Sequence, residues 1–181
     1  MMERKDFLKS ACKFGICTCA GMSFLSNEKL FASAEGDSDK KDDGRLSFVQ
    51  RRFAKFIDFI EDPEEKKKLF EKMGRECAKE YAEEIKKYEG KLETYLNDMK
   101  GKWIEDAEYD KENNRIRMIG KKSDSCVCPF VDKSITPKEF CNCTIGYVKY
   151  HFEVMTGKTV NVEIEQSVLR GGDRCSIVVN M

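Results

Sequence analysis

The apolar residues of this chain keep a helical spacing as far as Met99, and from Trp103 the period changes to an alternating one. Val49, Phe53, Phe56, Ile57 and Ile60 recur at steps of three and four, which predicts a first helix with one wide stripe buried as core. Asp62-Pro63-Glu64-Glu65 carries the cap residue, the proline and the first-turn acids of a second helix start. That helix is expected to run to about Gly90, with Leu69 or Phe70, Met73, Cys77, Tyr81, Ile85 and Tyr88 inward. A short helix from Lys91 to Met99 closes this half. Beyond it, Ala107–Tyr109 and Arg115–Ile119 flank the turn residues Asn113-Asn114 as a hairpin, with Ile116 and Met118 on its inner face.

The last third repeats the scheme. Thr136-Pro137-Lys138-Glu139 reads as a capping box that starts a helix running to Met155 or Thr156, stopped by Gly157. Thr159 to Ser167 alternates as a strand, Arg170-Gly171-Gly172-Asp173 turns, and Cys175 to Val179 returns antiparallel. Val160, Val162 and Ile164 face inward, while Glu163 and Glu165 read as a solvated face. The expected fold is α+β: N-terminal helices packed on an antiparallel sheet, with a further helix between hairpins, in a single domain spanning residues 46–181.

Length and charge narrow the functional classes. A chain of 181 residues holds one ordinary domain plus an extension. Its 33 basic and 33 acidic residues are interspersed, so no basic field exists to gather nucleic acid or anionic lipid over the whole surface, and nucleic acid is not expected as a partner.

The extension reads as an export signal. Arg4-Lys5-Asp6-Phe7-Leu8-Lys9 is a charged head, Ser10 to Leu25 an apolar body, and Ala32-Ser33-Ala34 a small-residue cleavage site before Glu35. The head resembles a twin-arginine signal with Lys5 in place of the second arginine, and that resemblance implies the twin-arginine export machinery as a partner. The alternative is a cytosolic protein with an amphipathic first helix. The body is too short and polar to anchor in a bilayer, so membrane contact is expected only transiently, through the signal. Residues 1–34 form the signal and 35–45 a polar linker, giving an exported protein, periplasmic or extracellular. Cleavage removes five basic and three acidic residues, leaving 28 against 30, and takes away Cys12, Cys17 and Cys19.

Six cysteines then remain, four of them within Cys126-Val127-Cys128 and Cys141-Asn142-Cys143. Thiolates bind soft metals, attack electrophiles or pair as disulfides, and so dense a cluster is rarely explained by packing alone. An extended Cys126-Val127-Cys128 projects both sulfurs from one face. On a regular helix, Cys141 and Cys143 point about 200° apart at roughly 100° per residue. A helix that starts only after Asn142 allows all four to converge. The helix start therefore separates a four-thiolate site from a two-plus-two arrangement. Metal-ligand candidates are Cys126, Cys128, Cys141 and Cys143, with Cys77 or Cys175 completing or replacing one. The metal is held mainly by sulfur because the chain has one histidine, His151, and the candidates are zinc or an iron-sulfur cluster.

Gly74-Arg75-x-Cys77, Cys126-x-Cys128-Pro129, Phe140-Cys141-x-Cys143, Gly146, Phe152-Glu153, Gly157-x-x-Val160 and Ser167 through Arg170-Gly171-Gly172-x-x-Cys175 resemble the L-2-amino-thiazoline-4-carboxylic acid hydrolase-like family. That family is similar in turn to 4-vinyl reductase and small-molecule-binding domains of α+β fold. The resemblance implies a hydrolase acting on a cyclic C–N bond, with Cys126 or Cys143 as nucleophile and His151, Glu153 or Asp173 as base. Within these motifs Gly74, Arg75, Cys77, Gly171 and Gly172 are the candidates for cofactor binding. Three classes stay open: a domain binding a metal, cluster or small molecule through thiolates, the hydrolase, and a disulfide-stabilised structural or ligand-binding domain.

Overall fold

A computed structural model describes residues 43–181, so the expected signal and most of the linker lie outside the described residues. Four helices come first: α1 (Asp43–Asp58), α2 (Pro63–Lys79), α3 (Ala82–Lys86) and α4 (Leu92–Met99). The hairpin β1 (Ile104–Asp110) and β2 (Arg115–Gly120) follows, then α5 (Asn142–Thr156), β3 (Asn161–Gln166) and β4 (Ser176–Asn180). All pairings are antiparallel and the strand order is β1-β2-β4-β3, so the last strand is inserted between β2 and β3. This is the expected α+β arrangement, helices packed on an antiparallel sheet.

One face of the sheet carries the main core, and the other is largely polar apart from the buried Val178 of β4. Ile116 pairs with Val179 and Met118 with Ile177, while Val162 and Ile164 line up on the far side of β4. These residues pack with Ile145, Val148, Phe152 and Met155 of α5 and with Tyr95 and Leu96 of α4. On the opposite face Glu165 accepts from Arg117 Nε at 2.7 Å and from Ser176 Oγ at 3.0 Å. The expected solvated row is thus a charged lattice over β2 and β4. The Arg117 guanidinium beside it holds the Glu165 carboxyl below its usual range.

Local chemistry explains most element ends. Asp62 accepts from the N–H groups of Glu64 at 2.7 Å and Glu65 at 3.1 Å, with Pro63 in the first turn of α2. Gly157 ends α5 in the left-handed region at φ 66°, donating its N–H to Glu153 O at 2.9 Å.

Three expectations change. The second helix is not continuous to Gly90: it breaks at Glu80-Tyr81, and Tyr81 is largely exposed. The first helix starts at Asp43, inside the expected linker, and buries Ala54 and Ile57 while leaving Val49 and Phe56 exposed. The Thr136 capping box does not form, because Thr136 Oγ1 accepts the Asp132 N–H at 3.1 Å and is spent inside its own loop.

Candidate thiol site

The crossing of α2 and α5 positions the site, and two glycines permit it. A Cβ built on Gly74 would lie 1.8 Å from the carbonyl oxygen of Cys143. One built on Gly146 would lie 1.8 Å from the carbonyl oxygen of Glu71. The two backbones therefore touch directly, which accounts for a mid-helix glycine that otherwise costs about 1 kcal/mol relative to alanine. Charge pairs flank the crossing, with Arg75 on Glu153 at 2.5 Å and Lys149 on Glu71 at 3.3 Å. Arg75 also lies over the Tyr150 ring at 5.6 Å, so its charge is engaged by α5. Cys77 lies one turn beyond Gly74 and is exposed, where the spacing had placed it on the buried stripe.

At the head of α5 a single 3-10 turn, Lys138–Cys141, precedes an α-helix that begins at Asn142. The thiols of this second pair face different surroundings. Cys141 is buried, and its sulfur lies 3.1 Å from Ser167 Oγ. Cys143 is half-buried at the crossing with α2. The loop between β2 and α5 brings in the other pair, held by Gln50 Nε2 donating to Pro129 O at 2.9 Å and Val131 N–H donating to Cys128 O at 3.1 Å. Cys175 precedes β4, its carbonyl accepting the Gly120 N–H at 2.8 Å.

Cys126, Cys128, Cys141 and Cys143 all pack on one apolar cluster built from Ile57, Phe70, Phe140 and Leu169. Burial pushes the Cys126 thiol up to about 11, with Cys175, Cys141 and Cys128 adding to the rise and the Leu169 N–H opposing it. Burial pushes Cys143 up to about 12, and Cys77, Cys128 and Cys141 add to that. Cys128 is raised by burial and then by Cys77. Cys141 is raised by burial and by Cys175, against the pull of Ser167 and Arg170. Cys77 thus acts on Cys128 and Cys143, Cys175 acts on Cys126 and Cys141, and all six thiols are free. Among the described residues no three His, Cys, Asp or Glu side chains are placed to hold one metal ion.

The remaining candidates lie elsewhere. His151 is only 5% exposed, its ring 4.3 Å from that of Tyr147, its Nε2 lacks a hydrogen-bond partner among the described residues, and burial pushes its pKa down to about 4. Glu153 is held by Arg75. Asp173 is exposed and paired with Lys122 at 2.9 Å and Arg174 at 3.5 Å, partners that lower its pKa. Gly171 makes its turn at φ 95°, and Gly172 packs on the Gln166 side chain. The sequence reading assigned no role to Ser167 or Arg170, which flank Cys141; their place in the Ser167-to-Cys175 motif was the signal.

A four-stranded antiparallel sheet with helices on its apolar face defines the class as a mixed α+β domain. No family model matches the chain, and no curated protein matches it. Among solved structures the fold is similar to that of a trafficking protein particle complex subunit 3 from Naegleria fowleri, covalently bound to palmitic acid. The TM-score is 0.52 at 14% identity, covering 75% of this chain and 92% of that one.

Proposed function

We propose that the protein binds a thiophilic ligand, a soft metal ion or a metal-sulfur cluster, through its gathered cysteines. The observation that carries this reading is the packing of four unbridged thiols, Cys126 and Cys128 from the β2–α5 loop and Cys141 and Cys143 from the head of α5, against one apolar cluster. A divalent cation offsets the burial and mutual repulsion that keep these thiols protonated, so its binding releases their protons. Tetrahedral zinc takes four sulfurs at about 2.3 Å, and ligation requires the thiols to rotate and the loop to close on the ion. Export with the ligand already bound fits the twin-arginine-like head of residues 1–34.

The resemblance to the hydrolase-like family offers a second reading, and the local chemistry favours it less. Cys126 and Cys143 are held away from the thiolate form. Of the three candidate bases, His151 is shut among tyrosines, and Glu153 and Asp173 are each engaged by cations. Metal analysis by plasma mass spectrometry, run beside native and denaturing mass spectrometry, tests the proposal. We expect zinc or iron that leaves on denaturation and is lost in Cys126→Ser and Cys143→Ser. Freely alkylatable Cys126, Cys128, Cys141 and Cys143 in protein that takes up no added zinc, or the mass deficit of disulfide bonds, would overturn it.

A further inference from the structure

Helix α1 is apolar on two faces, and only one of them meets the protein. Ala54 and Ile57 are buried and Phe53 packs at 5.3 Å on Phe140, whereas Phe48, Val49, Phe56 and Phe59 remain exposed, Phe59 at 81%. Phe48, Arg52, Phe56 and Phe59 follow at steps of four, four and three, so they share one line along the helix and the turn after it. The surface continues onto the thiol-bearing loop. Phe130 lies 5.9 Å from Phe53 and is half exposed, and Val127, between Cys126 and Cys128, is 79% exposed. Scattered apolar residues on a surface need no explanation, but a contiguous aromatic patch marks an interaction site.

The charges on the same helix identify the partner. Arg45, Arg51, Arg52 and Lys55 are exposed, and α1 has no acid between its terminal residues Asp43 and Asp58. Among the described residues none of the four cations forms an ion pair; Arg51 donates to Ser47 Oγ and Arg52 lies over the Phe48 ring at 5.2 Å. Aromatics interleaved with long basic side chains suit an anionic lipid interface, where rings enter the headgroup region and cations stay at the phosphates. A second copy of this face would set four cations against four, which is repulsive.

We infer that the outer face of α1, together with the Val127–Phe130 loop, docks the folded protein on an anionic phospholipid surface. This contact is separate from any made by the signal, and it would place the thiol loop against the membrane. Cosedimentation of the full chain with phosphatidylglycerol-containing and pure phosphatidylcholine vesicles tests it, every variant keeping the same N-terminus. We expect preference for the anionic vesicles, suppressed by salt, and about tenfold weaker partitioning for the doubly substituted Phe56→Ser/Phe59→Ser protein. Arg51→Gln/Arg52→Gln should remove the preference, also by about tenfold. Both variants change exposed side chains and should melt as the wild type does. Equal partitioning of wild type and both variants would overturn the inference, as would dimerisation that the phenylalanine variant abolishes.

Discussion

At the scale of single residues, Gly74 and Gly146 decide how near α2 and α5 can come. A methyl at either position meets a carbonyl oxygen at 1.8 Å, and a backbone carbonyl cannot swing aside as a flexible side chain can. Gly74→Ala should therefore part the helices and destabilise the protein by about 3 kcal/mol, read as a lowered urea midpoint. An unchanged midpoint would contradict the direct backbone contact. His151 makes a second residue-scale prediction. Unfolded, its imidazole takes a proton near 6.5; folded, only near 4, so between those values the unfolded chain holds the extra proton and acid lowers stability. The loss grows by about 1.4 kcal/mol per pH unit through that window, and His151→Phe should flatten the slope in denaturation series across it. Above pH 9.0 the sign reverses for the thiols. Unfolded cysteines ionise there while Cys126 and Cys143 hold their protons to about 11 and 12, so the metal-free protein should lose stability as pH rises.

At the scale of elements, Gly157 tests the stop of α5. Its left-handed φ of 66° disfavours a side chain, and Gly157→Ala should cost about 1–2 kcal/mol in thermal or chemical denaturation. The Arg75–Glu153 pair should contribute less, under about 1 kcal/mol, because Arg75 is 41% exposed and water screens the attraction. The same elements show where sequence could be read. The strands were legible because Ile116, Met118 and Val162 alternate with charged neighbours, so only one face can enter the core. Helix α1 was legible as a helix but its buried face was not, since Phe48, Phe56 and Phe59 make its exposed face as apolar as the buried one, and periodicity cannot rank two apolar stripes. The break at Tyr81 was hidden by residues that all favour helix. Both cysteine pairs were visible as motifs, and the cost of Gly74 hinted at a close approach. That Gly74 meets Cys143 and Gly146 meets Glu71 depends on how two distant helices cross.

At the scale of the whole molecule, the proposed metal binding would be linked to folding, because the thiols come from segments that are distant in sequence. Zinc at about a hundred times its dissociation constant adds roughly 2.7 kcal/mol of stability. A chelator should therefore lower the melting temperature by about 10 °C in a domain of this size, and Cys126→Ser should abolish the shift. Calorimetry with and without chelator checks this. The insertion of β4 between β2 and β3 has a further consequence. Until that strand arrives, β2 and β3 each present an unsatisfied margin of backbone amides and carbonyls, a template for intermolecular stacking. Its pairing with both neighbours closes both margins at once, and Cys175, one residue before its start, is fixed in place beside Gly120 by the same pairing.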